Sequence, residues 1–241
     1  MAVIARSARD RLAFALDVPD EGCAREVASL VAPHIGVLKV GLELFVRSGP
    51  SATRIGLELG CKTFLDLKLH DIPETVERAV ANACQLGVSY LTVHASGGSR
   101  MLERALERAT RDASNLTILA VTLLTSLDSD DLRQMGIAGN AASHVRRLAD
   151  LAWSVGIRGF VCSSTEVGSL RSALGPEAFL VTPGIRPVGP NEDDQKRVGT
   201  PSDAIRAGSS LLVVGRPIRD ANDPGAAAAS IEREIAQVLW E

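Results

Sequence analysis

Short apolar runs alternate along the chain with longer segments in which apolar residues recur every three or four positions. The runs predict eight strands, at 12–18, 37–40, 63–70, 90–94, 116–123, 159–162, 179–182 and 210–214. The other segments predict helices at 20–32, 48–59, 73–86, 99–109, 141–155, 166–174, 202–207 and 224–239, with a short one around 129–135. This alternation is typical of a parallel sheet covered by helices.

The number of predicted strands indicates how the sheet is arranged. The chain has 241 residues, close to the usual length of one eight-stranded barrel, and no linker or shift in composition divides it. An open, doubly wound sheet is the alternative, but it usually carries G-x-G-x-x-G after its first strand, where this chain has Asp17-Val18-Pro19. The sequence therefore predicts an α/β fold with a single (β/α)8 TIM barrel domain over residues 1–241.

The third predicted strand carries charges where a covered strand is normally apolar. By alternation, Phe64, Asp66, Lys68 and His70 share one face, and a further acid, Asp71, follows the strand. Burying unpaired charges costs several kcal/mol each, so charges at a strand mouth indicate a chemical site. Two structural alternatives stay open: a helix-capping role for Asp71 with Glu74, and a purely structural Asp66–Lys68 ion pair. His70 is expected at the rim and not as a metal ligand.

Other strands also end in polar residues, which a barrel would bring to one mouth. They are Asp17, Lys39, His94, Thr125, Arg186 and Arg216. Gly184 precedes Arg186 and Gly215 precedes Arg216 after the last two strands, where barrels commonly bind phosphate. The polar segment 187–200, rich in Pro and Gly, is long for a connection and is expected to belong to an active-site lid at about 184–200.

Composition narrows the possible functions. Hydrophobic residues make up 46% of the chain, which excludes global disorder. Aromatic residues make up 3%, and the net charge is −3 without a basic run, so nucleic acid is not an expected partner. The four cysteines are scattered, which favours reduced thiols over zinc or a disulfide framework. Without a long apolar segment, the protein is expected to be soluble and cytoplasmic, with no membrane partner.

The charged motif D-x-K-x-x-D-I-P at 66–73 resembles the signature of the orotidine 5′-phosphate decarboxylase family, in its bacterial form. Further resemblances follow in the same order at 16–18, 39–41, 93–95, 124–126, 183–186, 194–197 and 214–218, so the similarity spans about 11–218. The core motif is shared with barrel enzymes that decarboxylate 3-keto sugar phosphates or make hexulose phosphates, usually with magnesium. The Gln195 segment favours the orotidylate enzyme. Gly199 departs from the pattern, because a larger residue is expected there.

The resemblance implies a reaction and a set of roles. Orotidine 5′-monophosphate would lose its pyrimidine carboxylate to give UMP, in the last step of pyrimidine nucleotide synthesis, without metal or organic cofactor. A homodimer with shared active sites is implied, in which Asp71 and Thr75 enter the neighbouring subunit's site. The catalytic residues implied are Lys68, Asp66, Asp71 and Lys39; the substrate-binding residues implied are Asp17, Lys39, Thr75, Thr125, Arg186, Gln195, Gly215 and Arg216.

Two other functions compete with this one. The first is a magnesium-dependent sugar-phosphate decarboxylase or aldolase on the same scaffold. The second is a barrel that binds a phosphate ligand without catalysis, such as a sensor. Four opposed charges at one strand mouth argue against the second, because a simple binder gains little from burying them.

Overall fold

The structure is a computed structural model that describes residues 7–112, 115–187 and 199–240. Its strands are β1 Leu12–Ala15, β2 Val37–Val40, β3 Lys62–Leu69, β4 Tyr90–His94, β5 Thr117–Val121, β6 Gly159–Val161, β7 Phe179–Thr182 and β8 Leu211–Val214. Its helices are α1 Glu21–Val31, α2 Leu42–Ser48, α3 Arg54–Glu58, α4 Pro73–Gln85, α5 Ser99–Arg111, α6 Ser129–Gln134, α7 Ala141–Ser154, α8 Ser164–Leu174, α9 Pro201–Arg206, α10 Arg216–Arg219 and α11 Pro224–Trp240.

The eight strands form one closed barrel in sequence order, and every neighbouring pair is parallel. Pairing of β1 with β8, in which Leu12 lies opposite Leu212, closes the ring. The TIM barrel predicted from the sequence is therefore confirmed. No helix in the described ranges is long and apolar enough to cross a membrane.

The largest difference from the predicted elements lies after β2. A single helix was predicted at 48–59, whereas the chain forms α2, a 3-10 turn at Gly49–Thr53 and then α3. Gly49 has φ +64 and Pro50 follows it, so neither residue can continue α2 in regular helical geometry. Helix α2 was missed because Leu42 and Val46 are exposed, so its apolar residues do not mark a single buried face. The short helix α10 was also not predicted.

Apolar side chains pack on both surfaces of the barrel. Those between the strands and the surrounding helices form the larger core, which includes Phe14, Leu38, Leu91 and Phe160. A smaller cluster fills the barrel interior, where the ring of Tyr90 stacks on Phe179 at 5.5 Å between centroids and meets Phe64 edge-on at 6.0 Å. This cluster forms the floor beneath the mouth at which the strands end.

The buried ring of Tyr90 provides a test of this interior packing. Burial raises the pKa of Tyr90 to about 12, and Asp10 adds to the effect, whereas an unfolded tyrosine titrates near about 10. The contribution of Tyr90 to stability is thus complete below about pH 10 and is lost as the pH rises through the folded pKa.

Tyr90 is the only tyrosine in the sequence, so ultraviolet absorbance of tyrosinate reports on this residue alone. We expect the native protein to develop that absorbance near pH 12, and the same protein in denaturant to develop it near about pH 10. Tyrosinate formation near pH 10 with native circular dichroism would contradict the buried position.

Candidate active site

A cavity of about 530 Å³ opens at the carboxyl ends of the barrel strands. Eight of the site residues predicted from the sequence line it: Asp17, Lys39, Asp66, Lys68, Thr125, Arg186, Gly215 and Arg216. They come from β2, β3 and four strand-following segments, and closure of the barrel brings them to one place. We call this the main cavity.

Two predicted residues lie elsewhere, and one is outside the described part of the chain. Asp71 and Thr75 line a second, smaller cavity of about 320 Å³, here called the side cavity, on which Lys68 also borders. Gln195 lies outside the described residues, as does most of the predicted lid at 184–200.

Four charges of alternating sign form a continuous array in the main cavity. The ammonium of Lys39 donates a hydrogen bond to Asp17 Oδ1 at 3.1 Å and lies 3.6 Å from Asp66 Oδ2. Lys68 Nζ donates to the same Asp66 Oδ2 at 2.8 Å. We call Asp17–Lys39–Asp66–Lys68 the charge array.

The inner part of this array is buried, and its lysines stabilise the ionised form of Asp66. Lys39 and Asp66 are each 9% exposed. Burial by itself raises the pKa of Asp66. The positive charges of Lys39 and Lys68 and a hydrogen bond from Thr92 lower it by more, so the pKa lies below its ordinary value. Asp66 is therefore a carboxylate at neutral pH, held between two lysine side chains.

Lys68 occupies an unusual backbone conformation. Its φ is +50, and it is the only non-glycine residue in the described ranges with positive φ. Such strain in a residue other than glycine costs of order 1–3 kcal/mol and is concentrated at functional sites. The alternation that predicted one shared face holds for Phe64, Asp66 and Lys68, which line the main cavity, but not for His70, which lines the side cavity.

The two histidines after β3 and in β4 form a pair outside the main cavity. The rings of His70 and His94 lie 5.4 Å apart, and His94, although predicted to join the mouth, does not line the main cavity. Burial, followed by the nearby His70 and Lys68, lowers the pKa of His94, so this ring is neutral at pH 7.

The capping alternative for Asp71 is wrong. Helix α4 begins at Pro73, and its N-cap residue is Ile72, which makes no side-chain capping bond. The Asp71 carboxylate instead accepts a hydrogen bond from the backbone N–H of Ile72 at 2.6 Å. Asp71 is exposed and forms no ion pair with the charge array in the described chain.

The segments after the last two strands carry the two glycine–arginine pairs. Gly184 and Arg186 follow β7, and Gly215 and Arg216 follow β8. Gly184 has φ +74, a conformation that glycine adopts without strain. Strand β7 is four strands from β3 in the closed ring, so a ligand that touches both groups would span the main cavity.

The ends of the segment between 186 and 199 are held together at the rim of the cavity. Arg186 N–H donates to Gly199 O at 3.0 Å, and Gly199 N–H donates to Gly184 O at 3.2 Å. A Cβ at Gly199 would lie only 2.7 Å from Ser164 Cβ, a distance that real Cβ atoms do not adopt. The contact with Ser164 thus accounts for glycine where the family pattern suggested a larger residue.

Two residues that border this site were not named from the sequence. Arg219 lines the main cavity, and Thr92 bonds to Asp66 and Lys68. The signal for Thr92 was a polar residue two positions after the inward-facing Tyr90, on the same face of β4. Arg219 gave no usable signal, because it lies on the unpredicted helix α10.

No group of three His, Cys, Asp or Glu side chains that could hold a metal ion is found within residues 7–112, 115–187 and 199–240. The main cavity instead combines two ammonium groups, two carboxylates and three guanidinium groups. Such a set can bind an anion, position a second anionic group and donate a proton.

Comparison with known proteins shows to which family the chain belongs. The family model described as orotidine 5′-phosphate decarboxylase / HUMPS family matches residues 10–231. The chain belongs to this family. The resemblance drawn from the motif at 66–73 is therefore confirmed.

Individual members of the orotidine 5′-phosphate decarboxylase / HUMPS family agree with this assignment. The orotidine 5′-phosphate decarboxylase of Anaeromyxobacter sp. (strain K) is 50% identical, over 92% of this chain and 96% of its own. That of Moorella thermoacetica is 45% identical, over 98% of this chain and 96% of its own. The crystal structure of the Lactobacillus acidophilus orotidine 5′-phosphate decarboxylase superposes with a TM-score of 0.83 at 38% identity, covering 94% of this chain and 99% of that one.

Proposed function

We propose that this protein is an orotidine 5′-phosphate decarboxylase that converts orotidine 5′-monophosphate to UMP without a metal or organic cofactor. The observation that carries the proposal is the charge array, Asp17–Lys39–Asp66–Lys68, in a cavity that Arg186 and Arg216 also line. Family membership, and relatives named for this activity over nearly their whole length, support it.

The reaction requires stabilisation of negative charge on a ring carbon. The bond from the pyrimidine to its carboxylate breaks, carbon dioxide leaves, and the electron pair stays on an sp² carbon with no adjacent carbonyl to accept it. The ammonium of Lys68 stabilises this carbanion and then transfers a proton from Nζ to the same carbon. Lys68 then takes a proton from solvent, which restores the ammonium for the next turnover.

Asp66 has two roles in the proposed mechanism. Lys68 Nζ donates a hydrogen bond to its Oδ2 at 2.8 Å, which holds that ammonium in place. Its carboxylate also faces the substrate carboxylate, so that loss of carbon dioxide relieves a repulsion present in the bound ground state. Lys39 holds Asp66 from the other side at 3.6 Å and, together with Asp17, binds the ribose hydroxyls.

The remaining contacts orient the substrate. Arg186, Gly215 and Arg216 bind the 5′-phosphate, because guanidinium groups and glycine backbone amides suit a phosphate dianion. Thr125 binds the pyrimidine edge, and Gln195 is proposed to contact the ring from the lid. We propose that this lid covers about 184–200 and that its ends are anchored by the backbone bonds between Gly199 and the residues at 184 and 186. The whole chain, 1–241, is proposed to form one barrel domain.

We propose a homodimer in which each subunit completes its neighbour's site. Asp71 and Thr75 line the side cavity next to Lys68, not the main cavity. Ile72, adjacent to Asp71, is 65% exposed and is therefore accessible to a partner subunit. We also propose a cytoplasmic location, because the four cysteines are scattered along the sequence, which favours reduced thiols and a reducing compartment.

Turnover in the presence of a chelator tests the proposed function. We expect the EDTA-treated protein to convert orotidine 5′-monophosphate to UMP at the same rate as untreated protein, because the proposed chemistry uses lysine side chains. The measurement is the loss of orotidylate ultraviolet absorbance, with UMP identified by chromatography.

Two other outcomes would favour the competing functions. Activity that disappears in EDTA and returns with magnesium, especially on a 3-keto sugar phosphate, would favour the magnesium-dependent enzymes of the same family. Tight binding of orotidylate without conversion, in protein of native stability, would favour a non-catalytic binding barrel.

A further inference from the structure

The strand that carries Asp66 and Lys68 is irregular where it meets its neighbour. Leu65 pairs with Leu91 and Leu69 pairs with Val93, so three residues of β3 lie opposite a single residue of β4, Thr92. A ladder with this mismatch leaves backbone groups of the longer segment without their regular partners. The backbone N–H of Lys68 is one of the groups concerned.

The side chain of Thr92 fills this gap in the ladder. Its hydroxyl accepts a hydrogen bond from the backbone N–H of Lys68 at 2.8 Å and donates one to Asp66 Oδ1 at 2.9 Å. Thr92 itself is fully buried. One hydroxyl group therefore contacts both members of the ion pair, the lysine through its backbone and the aspartate through its carboxylate.

The two oxygens of the Asp66 carboxylate have different partners. Oδ2 is shared by the ammonium groups of Lys68 and Lys39, and Oδ1 is held by Thr92. Without the bond to Oδ1, the carboxylate could rotate between the two lysines. Without the bond from its N–H, Lys68 would keep φ +50 with a buried donor unsatisfied, which is costly.

We propose that Thr92 is a positioning residue for the decarboxylation, whose hydroxyl holds Lys68 in its left-handed conformation and Asp66 in its rotational setting. This inference rests on the proposed function. Thr92 acts through Asp66 and Lys68 and does not line the main cavity, so it is not assigned a contact with substrate. A displacement of about 1 Å at such a site can cost about 100-fold in rate.

Three substitutions separate the hydroxyl from the methyl group of Thr92. Thr92→Val replaces the hydroxyl by a methyl group, and Thr92→Ser removes only the methyl. Thr92→Ala removes both and provides a second test if the valine variant does not fold. Thr63→Val is the matched control, because Thr63 is a fully buried threonine of β3 whose hydroxyl bonds to the Thr53 carbonyl away from the cavity.

We expect Thr92→Val and Thr92→Ala to lower kcat about 10- to 100-fold, as for loss of hydrogen bonds to a charged group, with KM changed less than about threefold. Thr92→Ser should restore kcat to within about threefold of wild type, and Thr63→Val should lower Tm without lowering kcat. Wild-type kcat on orotidylate, measured alongside, tests the proposed function separately from the role of Thr92.

A crystal structure of Thr92→Val gives a readout that does not depend on activity. We expect Lys68 to leave the left-handed region, or its Nζ to move away from Asp66 Oδ2. An unchanged Lys68 φ with an intact ion pair would overturn the proposal, as would wild-type kcat in Thr92→Val or an equal loss in Thr92→Ser.

Discussion

Replacing Lys68 by alanine should abolish decarboxylation while the protein still binds UMP. Lys68 is proposed both to stabilise the carbanion and to donate the proton, and the two losses together are expected to lower kcat by a factor on the order of 10⁴ or more. The phosphate contacts assigned to Arg186 and Arg216 lie on the other side of the barrel mouth and stay intact. UMP affinity should therefore change less than about tenfold, because the lost interaction is made mainly in the transition state.

The measurement pairs steady-state turnover with calorimetric titration of UMP. Removal of Lys68 leaves the buried Asp66 with Lys39 at 3.6 Å, so a loss of about 1–3 kcal/mol in stability is expected as well. Lys68→Met keeps most of the apolar stem and should be as inactive as the alanine variant. Lys62→Ala is the matched control, because Lys62 is an exposed lysine at the start of the same strand and should retain full activity.

Two results would contradict the role of Lys68. Turnover within about tenfold of wild type would remove Lys68 from proton donation. Loss of UMP binding in a variant of native fold would show that Lys68 contributes to ground-state binding and not chiefly to the chemical step.

Mixing two inactive variants should restore activity if the active sites are shared. Asp71→Ala and Lys68→Ala are each expected to be inactive as homodimers. In a mixed dimer with Asp71 acting across the interface, one site carries both substitutions and the other carries neither. Random exchange makes half of the dimers mixed, with one intact site in two, so roughly a quarter of wild-type activity should return.

The position of Asp71 supports this design. Asp71 lines the side cavity and, among the described residues, its carboxylate bonds only to the N–H of Ile72, so its removal should have little effect on stability. Glu74→Ala, which removes an exposed acid in the first turn of α4, is the matched control and should stay active alone. Subunit exchange is verified by mass spectrometry of differently tagged chains. If exchange is complete and no activity returns, every site still lacks one essential residue, and Asp71 acts within its own subunit.

Local pattern was sufficient to predict the barrel. Apolar runs such as 37–40 and 179–182 match β2 and β7 to the residue, because each strand is covered on both faces and its sequence shows this directly. Helix boundaries were less accurate where burial was uneven, as in α2, whose exposed Leu42 and Val46 obscured the periodicity. The convergence of Asp17, Lys39 and Arg216 on one cavity followed from parallel topology alone, because all strands of such a barrel end at the same rim.

By itself, the sequence determined the fold, the family and the set of residues at the strand ends, because these depend on local periodicity and on motifs read along the chain. Only the tertiary structure decided how β3 meets β4, with Lys68 at φ +50 and Thr92 bonded to both charged residues. It also separated Asp71 and Thr75 from the main cavity. The register shift between β3 and β4 and the contacts between distant segments depend on packing in three dimensions, and the alternation within a single strand does not show them.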